Sequence, residues 1–251
     1  MTGTEIAILA YAVVCVYGAA VVRGYSGFGF SLLVITALSI VIPPRDIVPS
    51  IFMMEVVASL HLLRSVWRGV HWRATGLLLA GCLIATPLGV HLLATVPAAP
   101  MKLAIAVFVV VAAALLARGY APKAMPGRVA TAATGALAGL CNGAFGMAGP
   151  PVVLFFFSSP AGVAVGRASP IAFFVGTDVL GLGFQARKGL IGRDDVTLAI
   201  LYLPPLAASI WLGARSFKGA DPAAFRRWVL RILTLLAVIT GAQAAVELSA
   251  A

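Results

Sequence analysis

Few residues of this chain combine a charge or a polar group with a place deep inside apolar sequence. Glu55 and Asp178 each stand near the middle of an otherwise uncharged stretch, 47–63 and 168–186. Arg23 separates two further apolar stretches and leads directly into Gly24-Tyr25-Ser26-Gly27-Phe28-Gly29-Phe30-Ser31. A second glycine-rich run reads Cys141-Asn142-Gly143-Ala144-Phe145-Gly146-Met147-Ala148-Gly149-Pro150-Pro151. Glycine permits left-handed backbone and close approach, and a helix that starts right after such a run exposes unpaired N–H groups. An exposed helix N-terminus attracts anions. The prolines at 150 and 151 suit the first turn of that second helix. The chemistry these runs offer is therefore binding of a small anion, with Ser26 and Asn142 as side-chain donors and Arg23 able to pair bidentately with an oxyanion.

Each of these residues also has a plainer reading. Small residues let membrane helices pack closely, so the glycines can serve packing alone. Two copies at matching positions favour a binding loop. Arg23 can instead mark a short cytoplasmic loop and only set topology. A carboxylate at mid-span is costly and is a functional candidate by default. A group that can shed its charge by taking up a proton suits Glu55 and Asp178 to proton coupling. The competing reading is a structural pair with Arg23, Arg64 or His61, or a site facing water. Ser59, Thr177 and Gln185 can line a polar path or bridge helices.

The composition says what must position these groups. Of 251 residues, 61% are hydrophobic and 10% charged, and the mean hydropathy is +1.05. Soluble domains carry about a quarter charged residues, so a water-soluble enzyme or a nucleic-acid-binding module is excluded. The net charge of +10 lies in short basic clusters between apolar runs, the pattern of cytoplasmic membrane loops. Ten helical segments are predicted, at about 4–22, 28–42, 47–63, 74–94, 101–118, 129–140, 148–159, 168–186, 195–214 and 224–247. The sixth and seventh, of about 12 residues each, are too short to cross a bilayer core of roughly 30 Å. They are expected to dip inward and meet near the midplane, where unwound backbone must line a cavity or be buried in protein.

The first segment follows Glu5, has no basic n-region and reads as a retained span rather than a signal peptide. Cys15, Cys82 and Cys141 form no CxxC pair, and His61, His71 and His91 do not cluster, so neither disulfide nor metal is expected. His71 reads as interfacial. No serine–histidine pair, phosphate loop or HExxH occurs, and no hydrophilic stretch has room for a soluble catalytic domain. The expectation is a non-enzyme without cofactor.

The two glycine-rich runs also align. Phe28-Gly29 falls on Phe145-Gly146 and Gly18 on Gly135; with small drift Glu55 faces Asp178, Gly89 faces Gly213 and Pro97-Ala98-Ala99 matches Pro222-Ala223-Ala224. One domain over 1–251 is predicted, built of repeats at about 1–122 and 123–251. An odd number of segments per repeat makes the second copy inverted. That topology leaves only Arg45, Lys102, Arg187, Lys188 and Arg193 of the 18 basic residues outside, as the positive-inside bias requires.

Together, the Phe-Gly-containing broken hairpins at Gly24–Ser31 and Gly139–Pro151 and the basic loop Arg64–Arg73 resemble the sulfite exporter TauE/SafE family of membrane permeases over nearly the whole chain. The resemblance implies secondary transport of a small anion, such as sulfite, a sulfoacetate-like sulfonate or thiosulfate, through eight or more spans. It carries the family's motif onto Gly24, Gly27 and Gly29 and onto Asn142, Gly143, Gly146, Gly149 and Pro150. Cys141 is the only cysteine within a motif, which argues against thiosulfate. The reading is thus an all-α polytopic membrane protein with about 8–10 transmembrane segments in two inverted repeats, its glycine-broken helical hairpins meeting near the midplane. It sits in a bacterial inner membrane and binds its anion through Arg23, Gly24, Ser26, Gly27, Gly29, Cys141, Asn142, Gly143, Gly146, Gly149 and Pro150, with Glu55 or Asp178 coupling to protons. A homodimer is compatible with it. The alternatives are a channel-like anion conductor and a membrane accessory subunit.

Overall fold

A computed structural model describes residues 3–118, 126–157, 162–216 and 222–249. They form ten α-helices: α1 (Gly3–Ser26), α2 (Phe30–Leu38), α3 (Pro44–Val66), α4 (Trp72–Thr95), α5 (Ala98–Arg118), α6 (Arg128–Phe145), α7 (Gly149–Phe157), α8 (Gly162–Arg187), α9 (Arg193–Ser216) and α10 (Pro222–Ser249). A single 3₁₀ turn, Trp67–Gly69, follows α3. All ten predicted segments are present, and seven of the helices are long and apolar enough to cross a membrane. The protein is a multi-pass membrane protein. Its outer surface agrees, with Val14 70%, Ile84 80% and Val129 85% exposed where a soluble fold would place polar side chains.

The sixth segment differs from expectation. It was read as 129–140, but α6 runs on to Phe145 with 18 residues, about 27 Å at 1.5 Å per residue, and is still not among the seven helices long and apolar enough to cross. Gly135, Gly139 and Gly143 do not break it, because their four-residue spacing puts them on one face against α4. A Cβ at Gly139 would lie 2.6 Å from the Cys82 carbonyl oxygen and one at Gly143 2.5 Å from that of Thr86. Gly81 and Gly89 of α4 face the Ala132 and Leu140 carbonyls in return. This close backbone contact is the small-residue packing of membrane helices. The helix ends at Gly146, whose φ of 69° is left-handed.

The short helices are α2 and α7, of nine residues each. Neither can span, so both must lie within the protein. The C-terminal carbonyls of α2 are met from its neighbours. Tyr11 of α1 donates to the Ala37 carbonyl (3.1 Å), Thr240 of α10 to that of Thr36 (3.1 Å) and Gln243 to that of Ile40 (2.9 Å). Around these pieces α1 packs on α9 and α2, α6 on α4 and α7, α3 on α8, and α5 on α10. Lys102 of α5 pairs with Glu247 of α10 at 2.9 Å. The spans α3 and α8 are the most enclosed, with 67% and 61% of their apolar windows buried against 22–39% in the others. They are the two that carry Glu55 and Asp178.

Candidate functional site

The Arg23 side chain is 1% exposed, which overturns the reading of it as a surface marker of topology. It reaches from the last turn of α1 to α3, where its Nη1 lies 2.6 Å from Glu55 Oε2 and its Nη2 donates to Ser59 Oγ. Ser59 follows Glu55 by one helical turn, so a single face of α3 supplies both partners. The Phe174 ring of α8 lies 5.6 Å from the guanidinium carbon, a cation–π contact. Arg23 Nε finds no hydrogen-bond acceptor among the described residues.

Glu55, 3% exposed, is also held from α2. The Ser31 backbone N–H donates to its Oε1 at 3.2 Å, and the Ser31 hydroxyl donates to the same oxygen. The N-terminus of α2, expected to attract an anion, thus already receives a carboxylate of the protein itself. Across the site, Asn142 Nδ2 donates to Asp178 Oδ1 (3.2 Å), to the Thr177 carbonyl (3.3 Å) and to Thr177 Oγ1 (3.2 Å). Cys82 of α4 meets Thr177 Oγ1 at 2.8 Å, so α4, α6 and α8 are joined at one level.

Arg23, Glu55, Asn142 and Asp178 line one cavity of about 20 Å³. Its remaining walls are Phe28, Gly29, Ser31 and Leu32 around the start of α2, Met147, Ala148, Gly149 and Pro150 around the start of α7, and Phe174. Both short helices therefore begin at the same cavity. They are not equivalent donors. The first turn of α7 contains Pro150 and Pro151, which have no N–H, so α7 presents fewer free amides than α2.

The other expected residues fall outside this cavity, each for a visible reason. A Cβ at Gly24 would strike the Ile210 carbonyl of α9, so this glycine serves the α1/α9 contact as Gly143 serves α4/α6. Ser26 turns inward on its own segment, its hydroxyl donating to the Val22 and Phe28 carbonyls at 2.7 Å. Gly27 and Gly29, with φ of 82° and 95°, make the left-handed break between α1 and α2, and only Gly29 reaches the cavity. Gly146 makes the corresponding break after α6. Cys141 is buried in α6 and away from the cavity. Gln185 is fully buried and likewise apart from it. Ser31 and Phe174 were not foreseen. Both were within reach of the sequence: Ser31 sits two residues past the left-handed Gly29, and Phe174 lies one turn before Asp178 on its face of α8.

A buried, paired arginine thus lies between the ends of two pairs of helices, enclosed by the apolar spans of a multi-pass membrane protein. The chain belongs to the sulfite exporter TauE/SafE family, whose profile it matches over residues 12–240. It is also 24% identical over 217 residues to the probable sulfite/organosulfonate exporter TauE of Cupriavidus necator, covering 83% of this chain and 84% of that one. No solved structure matches it significantly.

Proposed function

We propose that this protein is a secondary transporter of a sulfur-containing oxyanion or organosulfonate, and that the Arg23 cavity is its binding site. The observation that carries the reading is a guanidinium buried to 1% exposure in a cavity that also holds the start of both short helices and Asn142. Two oxygens of a pyramidal sulfite or a tetrahedral sulfonate can accept side by side from a guanidinium fork. The relative's description as a sulfite/organosulfonate exporter supports the same substrate class.

The charges around the cavity set the coupling. One arginine faces two carboxyl groups, Glu55 and Asp178, so the site is already anionic when both are ionised. Adding an oxyanion there, in low dielectric, is strongly unfavourable. Protonation of either carboxyl lowers that barrier, and protonation of Glu55, the partner of Arg23, frees the guanidinium for the substrate. Anion occupancy and proton uptake therefore go together. The cavity of about 20 Å³ has room for about one water-sized group, so the anion enters only as the walls part. This supports a carrier that opens and closes over a standing pore.

The packing supports the two-repeat reading, with repeats at about 1–122 and 123–251. The sequence of long, short, long, long, long helices occurs twice, and α1 on α9 corresponds to α6 on α4, with Gly213 and Gly89 at the two contacts. Inverted repeats rocking about a shared midplane site would expose the cavity to each side in turn.

Thermal unfolding of the detergent-purified protein with sulfite, sulfate, methanesulfonate and acetate tests the substrate class. Selective stabilisation by sulfite or the sulfonate, lost in Asn142→Ala, is the expected result. Equal response to all four anions, or none to any, would sink the assignment.

A further inference from the structure

A second cavity, unconnected with the proposed transport chemistry, opens where α3 ends and α8 begins. It measures about 1470 Å³; Arg64, Arg68 and Arg167 line it together with His61, and none of the described residues lining it is acidic. Its other walls are largely apolar, including Val57, Leu60 and Trp67.

The helical geometry of α3 separates this cavity from the Arg23 site. Val57, Leu60, His61 and Arg64 recur at three- and four-residue spacing and form one outward face. Val57 and Leu60 on that face are 46% and 47% exposed, whereas Glu55 and Ser59, which serve Arg23, are 3% and 0% exposed on the other. A soluble oxyanion collected here would stand on the wrong side of α3 to reach Arg23. The face instead looks outward, to where lipid chains run in a multi-pass protein.

Its depth is marked by aromatic residues. Trp67 and Trp72 are 54% and 47% exposed, and their ring centroids lie 4.4 Å apart. Exposed tryptophans of a membrane protein sit at the headgroup level, where one edge is apolar and the other wet. Three arginines beside them, above an apolar wall, match a phosphate with acyl chains below it.

We propose that this cavity is a binding site for an anionic phospholipid, with the phosphodiester held by Arg64, Arg68 and Arg167 and the chains laid along Val57 and Leu60. No described residue lining the cavity is acidic, so Arg64 and Arg68 favour an anionic over a zwitterionic headgroup. Titration of the purified protein with phosphatidylglycerol or phosphatidylcholine, read by native mass spectrometry, tests it. Phosphatidylglycerol should bind selectively, and Arg64→Gln and Arg68→Gln should each weaken it about fivefold. Arg64→Lys, which keeps the charge, should retain most of the binding and shows that loss in the Gln variant is not misfolding. Equal binding of the two lipids, or phosphatidylglycerol binding indifferent to both Gln substitutions, would overturn the proposal. So would stabilisation by inorganic phosphate that the Gln variants lose while phosphatidylglycerol binding stays unchanged, because the cavity would then take soluble oxyanions.

Discussion

Replacing Arg23 with glutamine strips the central ion pair of its cation while keeping much of the side chain's volume. At the observed 2.6 Å between Nη1 and Oε2, Coulomb attraction at an effective dielectric constant near 20 is about 6 kcal/mol. Part of that only offsets the cost of holding both groups away from water. What the substitution exposes is the uncompensated Glu55 carboxylate, and breaking a buried pair this way costs about 3–5 kcal/mol. For a chain of this length such a loss lowers the unfolding temperature by roughly 6–20 °C. Adding Glu55→Gln removes the stranded charge, so the double variant should recover at least half of the deficit. Thermal unfolding of wild type, both single variants and the double variant in one detergent gives the full cycle. Arg23→Gln as stable as wild type would refute the reasoning, as would a double variant whose loss equals the sum of the two single losses.

Further outcomes follow from the packing around the site. Gly143→Ala places a methyl group 2.5 Å from the Thr86 carbonyl oxygen, so α4 and α6 must separate at a cost of about 1–3 kcal/mol. A reduced folded yield by fluorescence-detected gel filtration is expected, whereas Gly76→Ala, with nothing within 4 Å, should leave the yield unchanged or raised. Gly29→Ala meets only ordinary contact with Val22, at 3.7 Å, but forces a φ of 95° on a side chain, costing about 1–3 kcal/mol and lowering transport more than yield, since Gly29 lines the cavity. Asn142→Ala removes the donor to Asp178 and should abolish transport with membrane insertion intact, checked by flux and membrane fractionation. Lys102→Met leaves Glu247, which is partly exposed, so a loss of about 1 kcal/mol or less is expected, read as a small shift in unfolding temperature.

The ten helices were legible because membrane spans are written as long charge-free runs, and their ends as charges and prolines. Charge position inside those runs was equally readable: Glu55 and Asp178 do face one cavity. What misled was glycine, which does two jobs with one letter. Gly24, Gly135, Gly139 and Gly143 serve helix contacts, while Gly27, Gly29 and Gly146 make left-handed breaks. Only the partner backbone tells them apart, and that partner is distant in the chain. The same holds for Arg23, whose neighbours in sequence suggested a loop but whose partners, Glu55 and Ser59, come from α3. His71, read as interfacial, also caps α4 by accepting from the Ala74 N–H at 3.2 Å, a local role that spacing alone does not announce.

The most direct test of the Arg23 cavity as a proton-coupled oxyanion site is flux of radiolabelled sulfite in proteoliposomes with and without an imposed pH gradient. Saturable flux that responds to the gradient in wild type, and is lost in Arg23→Gln and Asn142→Ala proteins inserted to the same level, is the expected result. Sulfite flux at wild-type rates in both variants, or flux indifferent to the gradient in wild type, would contradict it.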